Sequence, residues 1–299
     1  MTGMPNKTSD LWWIFSRQTI NVTQEESLLD AASLMSERNF RHLPVITSRG
    51  TIVGIVSAQD IIDTLNLASI SQGTAFDVIK ALDLPVQRIM RLHPIVVEKG
   101  DDLLTATKKM THNNISALPI IDEKGIVQGI ITLRDLVSLI GISSEPMNLQ
   151  VSELMTTNVT CIELESPISK AVQLMSEKRV RRLPIISRKR ELLGVLTNRD
   201  ILNYLKTLKE NKSSEAFTRK VSEFMTREVI TINSEDDIRV AASRMMIFGI
   251  GGLVIDEPPK MGIITERDLI RTLSMKRSVK FAVNAMQFEL EAEHPPSTS

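Results

Sequence analysis

The stretch GIITLRD, residues 129–135, contains a glycine, two apolar residues, a hydroxyl residue and, three positions after the hydroxyl, an aspartate. The chain repeats this pattern, hereafter the motif, as GIVSAQD from Gly54, GVLTNRD from Gly194 and GIITERD from Gly262. The four aspartates are 75, 65 and 68 residues apart, so each interval has the length of a small domain. The sequence therefore predicts four similar copies in tandem.

Further features surround the motif in a constant order. A Leu-Pro pair precedes it, and the prolines Pro44, Pro119 and Pro184 each lie 16 residues before their aspartate. In the fourth copy Leu253 replaces the proline, and the loop is one residue shorter. An apolar residue and a methionine begin copies 2 to 4, at Ile89-Met90, Leu154-Met155 and Phe224-Met225. Because these features recur together, we infer a repeat rather than unrelated domains.

One copy predicts the order strand, helix, strand, strand, helix. In copy 3 the β-branched run VTCI predicts a short strand, and Ser166 before Pro167 predicts a helix with Ser166 as its N-cap and Pro167 as its first residue. The runs LPII and LLGVLT predict two strands joined by a polar turn, and NRDILNYLKTL predicts the closing helix. The predicted fold class is therefore α/β, built from four tandem β-α-β-β-α repeats.

The repeats divide almost the whole chain. We expect an N-terminal tail over residues 1–9, repeat 1 over 10–68, repeat 2 over 86–141, repeat 3 over 150–209, repeat 4 over 220–275, and a C-terminal helix with a disordered tail over 276–299. A unit of about 60 residues buries too little surface to be stable alone. We therefore predict that the copies pair, one with two and three with four.

Charge and cysteine content disfavour several classes of protein. The 36 basic residues equal the 36 acidic residues, so nucleic-acid binding through bulk charge is disfavoured. Cys161 is the only cysteine, which excludes an intramolecular disulfide and a thiolate metal cluster. The sequence has no run of 18 apolar residues and no signal-peptide core. We therefore expect a cytoplasmic protein that contacts no membrane.

The element order, the LPVI-type strand and the motif G-h-h-[ST]-x-x-D resemble the cystathionine-β-synthase (CBS) domain family, over about residues 10–275. Four copies with nothing else attached are similar in layout to the gamma subunit of AMP-activated protein kinase and to stand-alone prokaryotic CBS-domain proteins. The resemblance implies two paired (Bateman) modules in a flattened disc. It also implies that clefts between repeats bind adenosine nucleotides or related adenosyl compounds.

The resemblance further implies that the hydroxyl and the carboxylate of each motif hold a ribose. These residues are Ser57 and Asp60, Thr132 and Asp135, Thr197 and Asp200, and Thr265 and Asp268. An ionised carboxylate can accept hydrogen bonds from both hydroxyls of a ribose. The alternative is a capping box, in which the same side chains satisfy main-chain N–H groups at a helix start. We favour ribose binding in at least one copy.

Basic residues near the motif are candidates for phosphate contacts. By resemblance, they directly precede the Leu-Pro pair, as Arg41 and His42 in copy 1 and Arg181 and Arg182 in copy 3. Copies 2 and 4 have the uncharged pairs Ser116-Ala117 and Gly251-Gly252 there. The arginines directly before three motif aspartates are further candidates: Arg134, Arg199 and Arg267. The alternative for these arginines is an ordinary solvated surface. Odd and even copies are thus predicted to have inequivalent sites.

The sequence shows no catalytic constellation, no metal-binding set and no phosphate-cradling glycine-rich loop. We therefore expect a non-enzymatic regulatory or energy-sensing protein that binds AMP, ADP or ATP, with or without Mg²⁺, and requires no other cofactor. A homodimer or a regulated protein partner is expected. The alternatives are a scaffold with structural repeats that contacts protein or nucleic acid, a binder of another adenosyl ligand such as S-adenosylmethionine, and an enzyme.

Overall fold

The computed structural model describes residues 19–72, 80–210 and 216–275. The predicted N-terminal tail, the start of repeat 1 and the predicted C-terminal helix and tail lie outside these described residues. Within the described part, no helix has both the length and the apolar character needed to cross a membrane.

The described elements follow the predicted order, except that copy 4 has no first strand. The helices are α1 (Leu28–Glu37), α2 (Ala58–Gln72), α3 (Leu103–His112), α4 (Leu133–Ile142), α5 (Ile168–Glu177), α6 (Asn198–Glu210), α7 (Ile238–Ile247) and α8 (Glu266–Met275). The strands are β1 (Val22–Thr23), β2 (His42–Ile46), β3 (Ile52–Ser57), β4 (Arg91–Leu92), β5 (Val97–Glu98), β6 (Ala117–Ile121), β7 (Val127–Thr132), β8 (Ile162–Glu163), β9 (Arg182–Ile186), β10 (Leu192–Thr197), β11 (Gly252–Glu257) and β12 (Lys260–Thr265). The predicted fold class, an α/β chain of four repeats, is confirmed.

Copies 1 to 3 each build a small mixed sheet. The first strand runs parallel to the second, and the second runs antiparallel to the third, as in β1-β2-β3 and β8-β9-β10. In copy 4 the first strand is reduced to a single parallel bridge between Thr231 and Val254. Val254 pairs with Ile263 as Pro44 pairs with Ile55, so Val254 occupies the proline position and the prediction that Leu253 replaces the proline is wrong. The Leu-Pro strand is the middle strand and its centre is buried, which accounts for its continuous apolar sequence.

The first helix of every copy ends with the same turn. The residue that follows the C-cap has a positive φ, at Asn39 (58°), Asn114 (53°), Arg179 (53°) and Gly249 (63°). The next main-chain N–H then donates to the carbonyl of a buried methionine, from Phe40 to Met35, Ile115 to Met110, Val180 to Met175 and Ile250 to Met245. This left-handed ending is a common helix stop. It returns the chain to the second strand at an equivalent point in each copy.

The predicted start of α5 is wrong by one residue. The helix begins at Ile168, and Pro167 is the N-cap, with φ −73° and ψ 155°. Proline tolerates this extended geometry because only its φ is fixed. A segment distant in sequence accepts the first N–H of the helix, because the Ile168 N–H donates to the Arg219 carbonyl at 2.8 Å. The Ser166 side chain does not cap the helix. The Ser166 carbonyl accepts from the Val221 N–H of the same distant segment at 2.9 Å.

Helix packing pairs alternate copies. The odd unit contains copies 1 and 3 and comprises Ile20–Pro94 and Val159–Val229; the even unit contains copies 2 and 4 and comprises Ile95–Asn158 and residues 230–275. In the odd unit α1 packs on α6 and α2 on α5, and in the even unit α4 packs on α7 and α3 on α8. Each unit has one hydrophobic core to which both of its copies contribute. The compact units therefore differ from the predicted pairing of neighbouring copies.

Neighbouring copies are joined by their leading segments, defined as residues 89–92, 154–157 and 224–227. The leading segment of copy 2 forms β4 along β3 of copy 1. Thr156 of copy 3 exchanges two main-chain hydrogen bonds with Ile263 of copy 4, at 2.8 and 3.0 Å. Thr226 of copy 4 does the same with Val195 of copy 3, at 2.9 and 3.0 Å. The predicted neighbour pairs are thus linked through these segments, while their helices pack elsewhere.

The motif glycine makes room for the leading segment. A Cβ at Gly194 would lie 2.7 Å from Met225 Sδ, and one at Gly54 would lie 2.7 Å from Met90 Sδ. At Gly262 the distance to the corresponding methionine sulfur would be 2.8 Å. A Cβ at such a separation forces the neighbouring atom to move. The recurring glycine and the recurring methionine are therefore both explained by the close packing of the leading segment against the motif strand.

Candidate functional site

The motif lies where a strand meets a helix. In every copy its hydroxyl residue is the last residue of a strand, and its aspartate is the third residue of the helix that follows. A helix start presents main-chain N–H groups that have no partner within the helix. The motif side chains are therefore placed at a donor-rich point of the fold.

One carboxylate oxygen of each motif aspartate closes a cap. Oδ2 accepts from the main-chain N–H and from the hydroxyl of the residue three positions earlier, in all four copies. The N–H and hydroxyl distances are 2.8 and 2.6 Å for Ser57–Asp60, 2.6 and 2.7 Å for Thr132–Asp135, 2.7 and 2.7 Å for Thr197–Asp200, and 2.8 and 2.6 Å for Thr265–Asp268. The capping contacts offered as the alternative interpretation are confirmed. Ribose binding by these residues stays a prediction.

The second carboxylate oxygen, Oδ1, lies outside the cap. In copy 1 the Arg91 Nη2 of the copy-2 leading segment is 3.6 Å from Asp60 Oδ1, which shows that a cationic donor reaches this oxygen. Burial raises the pKa of Asp135 and of Asp200, and the hydrogen bonds from their threonines only partly oppose this rise. A raised carboxyl pKa means that the ionised form is poorly solvated there. Further donors at this position would therefore stabilise the carboxylate.

The strand register places residues that were predicted to contact a phosphate beside the motif in copies 1 and 3. His42 is directly opposite Ser57, and Arg182 is directly opposite Thr197. Directly opposed residues have Cβ atoms about 4.5–5.5 Å apart on the same face of the sheet. In copies 2 and 4 the equivalent positions are Ala117 and Gly252, which carry no polar side chain.

The residue one position earlier is bonded to the helix start. The Ala58 N–H donates to the Arg41 carbonyl at 2.9 Å, and the Asn198 N–H donates to the Arg181 carbonyl at 3.0 Å. This contact holds Arg41 and Arg181 at the first turn of α2 and α6. Arg41, His42, Arg181 and Arg182 are all half-buried and have other interactions within the protein.

The three arginines that precede motif aspartates have different surroundings. Arg134 Nε lies 3.5 Å from Oε1 of Glu266, whose exposed fraction is 3%. Arg267 Nη1 donates to Asn114 Oδ1 at 2.8 Å, and burial lowers the pKa of Arg267. Arg199 is exposed. Of the three, Arg134 and Arg267 are therefore engaged across the even unit, and Arg199 faces solvent.

Most of the cationic residues that were predicted to contact a phosphate lie in the odd unit. The packing of copy 1 with copy 3 gathers the basic residues before both Leu-Pro pairs into one compact body. The sequence predicted that odd and even copies differ in the cationic residues near the motif. Because odd copies pack together and even copies pack together, the two units differ in the same way.

Two residues at the motifs, Arg91 and Glu266, were not predicted from the sequence. Arg91 belongs to the leading segment of copy 2 but reaches the aspartate of copy 1. Glu266 directly follows the motif threonine, where the other copies have Ala58, Leu133 and Asn198. A comparison of this position across the four copies would have singled out Glu266 as the one acidic residue.

Comparison with known proteins agrees with this architecture. The CBS domain model matches residues 10–67, 86–142, 151–207 and 221–275. An uncharacterized 33.4 kDa protein in a ribosomal RNA operon of Thermofilum pendens is 30% identical over 276 residues, which cover 87% of this chain and 89% of that protein. The crystal structure of MJ1225 from Methanocaldococcus jannaschii, proposed as an archaeal homologue of γ-AMPK, has a TM-score of 0.75 and 24% identity over 88% of this chain and 99% of its own.

A conserved protein from Pyrococcus horikoshii shares the fold, with a TM-score of 0.58 and 20% identity over 88% of this chain and 99% of its own. The four matched segments account for most of the chain, and they coincide with the four structural copies. The chain therefore belongs to the CBS domain family, as a protein with four CBS domains.

Proposed function

We propose that this CBS-domain protein is a non-enzymatic regulator that binds an adenosine nucleotide, AMP, ADP or ATP, in the cytosol, and that its odd unit holds the phosphate end. One observation carries the proposal. Arg182 lies directly across the strand pair from Thr197, whose partner Asp200 keeps one carboxylate oxygen outside the helix cap.

Three groups at the copy-3 motif match the parts of a nucleotide. Asp200 offers an acceptor for the ribose hydroxyls, and charge-assisted hydrogen bonds of this kind are strong. Arg182 offers a planar guanidinium, which matches phosphate oxygens in pairs. The first turn of α6 adds main-chain N–H groups and the positive end of the helix dipole.

Regulation would follow from linkage. A ligand shifts a conformational equilibrium only by the difference between its affinities for the two conformations. The protein would thus report nucleotide levels to whatever it regulates through a coupling free energy between sites. The homodimer or regulated protein partner expected from the sequence stays a prediction.

The second candidate is a scaffold with structural repeats. It is favoured by the four caps, since every motif hydroxyl and one oxygen of every motif carboxylate already have partners within the protein. On this hypothesis the motif serves only to start the helices.

Calorimetric titration separates the two candidates. Ligand-free protein is titrated with adenosine, AMP, ADP, ATP and S-adenosylmethionine, with and without MgCl₂. The regulator hypothesis predicts saturable binding of at least one adenosine nucleotide. Absence of heat for every ligand across the millimolar range would favour the scaffold, and binding of S-adenosylmethionine alone would redirect the assignment to another adenosyl ligand.

Arg182→Ala is expected to weaken AMP binding in the odd unit about tenfold to a hundredfold, because a hydrogen bond to a charged group contributes about 1.5–3 kcal/mol. Adenosine binding should stay within about twofold, because adenosine lacks the phosphate. Arg188→Ala is the matched control, because it removes the same charge from the exposed turn between β9 and β10. Equal losses for AMP and adenosine would contradict a phosphate contact.

The pH dependence of adenosine binding should report Asp200. Because burial raises the pKa of this carboxyl, binding should weaken on acidification at a pH above the usual range of an aspartate. Stability should change in the opposite direction. Since the folded pKa exceeds the unfolded value, the folded protein binds more protons between these two values, so the Asp200 contribution to the free energy of unfolding falls as pH rises through that window.

Asp200→Asn removes the titrating group, so the difference between wild type and variant isolates both effects. Adenosine is used because its sugar and base carry no phosphate that titrates near neutral pH. An adenosine affinity with the same pH profile in both proteins would remove Asp200 from the binding site.

A further inference from the structure

One position beside the motif carries a buried charge in the even unit. Glu266 is the first residue of α8, directly after the motif threonine of copy 4, and its exposed fraction is 3%. Its Oε1 lies 3.5 Å from Nε of Arg134 in copy 2. Arg134 directly precedes the motif aspartate Asp135. An ion pair therefore joins the two motifs of the even unit.

The odd unit has uncharged amides at the equivalent positions. Asn198 replaces Glu266 and is likewise 3% exposed, and Gln59 replaces Arg134. Gln59 Nε2 donates to Asp63 Oδ1 at 3.0 Å and to the Met175 carbonyl of copy 3 at 3.3 Å. Asn198 Nδ2 and Gln59 Oε1 are buried and have no hydrogen-bond partner among the described residues. The odd unit therefore lacks the ion pair and retains unused polar atoms in its place.

The charges near the motifs differ in sign between the units. In the even unit three carboxylates, Asp135, Asp268 and Glu266, exceed two guanidiniums, Arg134 and Arg267. In the odd unit two motif carboxylates are accompanied by four arginines at the candidate positions: Arg41, Arg181, Arg182 and Arg199. The even unit is thus unfavourable for an anionic group, and the odd unit is favourable for one.

Recruiting Arg134 to a phosphate would disturb its ion pair with the buried Glu266. Arg134 would have to leave Glu266, and loss of an ion pair by a buried carboxylate is destabilising. Arg267 offers little compensation, because it already donates to Asn114 and is half-buried. The even unit therefore resists phosphate for two reasons, repulsion by its carboxylates and sequestration of its cations.

We propose that Glu266 is a specificity-determining residue that excludes phosphorylated nucleotides from the even unit, so that this unit binds the uncharged nucleoside. The proposal rests on the nucleotide-binding function proposed above. The ribose diol would still find the Oδ1 atoms of Asp135 and Asp268, since neither lies within its cap. The two units would thus sense the phosphorylated and the dephosphorylated form of one ligand.

The test isolates the even unit. The double substitution Asp60→Ala and Asp200→Ala removes ligand binding from the odd unit. This variant is titrated with adenosine and with AMP. We expect adenosine to bind and AMP to bind at least about tenfold more weakly, which corresponds to about 1.4 kcal/mol. Adding Glu266→Gln should bring the AMP affinity to within about threefold of the adenosine affinity. An unchanged ratio would overturn the proposal, as would equal affinities before that substitution.

A reciprocal variant covers the case in which Glu266→Gln does not fold. Asp135→Ala with Asp268→Ala removes ligand binding from the even unit. On this background, Gln59→Arg with Asn198→Glu introduces the ion pair into the odd unit without changing the net charge. AMP affinity should fall about tenfold and adenosine affinity should stay within about twofold. Unchanged AMP affinity would overturn the proposal.

The outcomes also separate this inference from the function on which it rests. If none of adenosine, AMP, ADP and ATP binds the wild-type protein, both the nucleotide-binding function and this inference fail. If AMP binds the odd unit normally but the even unit binds no adenosine, only the inference fails.

Discussion

Asp200→Ala, placed on an Asp60→Ala background, is expected to lower the AMP affinity of the odd unit at least about a hundredfold. The carboxylate would accept both ribose hydroxyls, and two hydrogen bonds to a charged group contribute about 1.5–3 kcal/mol each. Stability should change little. The lost cap costs about 1 kcal/mol, but removal of a carboxylate whose burial raises its pKa offsets part of that loss.

The chain offers a matched control for the cap. At the start of α1, Ser27 Oγ donates to Asp30 Oδ2 at 2.6 Å and accepts from the Asp30 N–H at 3.1 Å. This cap is exposed and lies outside the motifs. Ser27 is the N-cap, so Ser27→Ala should lower the free energy of unfolding by about 1 kcal/mol and leave AMP affinity unchanged.

Calorimetry gives the affinities, and urea unfolding gives the stabilities. The scaffold hypothesis makes the opposite prediction for Asp200→Ala, namely the same loss of stability as Ser27→Ala and no change in AMP binding. The two variants together therefore distinguish a carboxylate that only starts a helix from one that also holds a sugar.

The elements of each copy were predictable because their causes are local. The β-branched runs, the Leu-Pro strand and the motif specify strands and helices within one copy, and the four copies support one another. Which helices pack together was not predictable in this way. The apolar faces of α1, α3, α5 and α7 all follow one repeat pattern, so nothing local tells α2 to pack on α5 rather than on a helix of copy 2.

The candidate site was predictable only in part, because some of its contacts are made between copies and not within one copy. Sequence spacing brings the motif hydroxyl and carboxylate together, but a capping box and a ribose site use the same two residues. Because a carboxylate has two oxygens, one can close the cap while the other lies outside it, as at Asp60. The ion pair of Glu266 was not predicted because it depends on packing against copy 2, whose Arg134 is 132 residues away.

Gly194→Ala should lower the free energy of unfolding by about 1–3 kcal/mol, the usual range for overpacking. The added Cβ would lie 2.7 Å from Met225 Sδ and 2.8 Å from the Thr226 carbonyl oxygen. A methionine side chain can move to another rotamer. The Thr226 carbonyl cannot move as easily, because it accepts from the Val195 N–H at 2.9 Å and holds the leading segment of copy 4 on copy 3.

Gly262 and Gly100 provide the controls for this prediction. A Cβ at Gly262 would meet only side-chain atoms, Met155 Sδ at 2.8 Å and Ile255 Cβ at 3.3 Å, so Gly262→Ala should cost less than Gly194→Ala. A Cβ at Gly100 would have no neighbour within 4 Å, and Gly100→Ala should leave the urea midpoint almost unchanged.

Double-mutant cycles then locate the obstruction. Combining Gly262→Ala with Met155→Ala should recover most of the overpacking loss, because the sulfur is the main obstacle there. Combining Gly194→Ala with Met225→Ala should recover less, because the carbonyl oxygen remains. Equal recovery at the two positions would mean that main-chain pairing of the leading segment does not require the motif glycine, and the shared cause proposed for the glycine and the methionine would be lost.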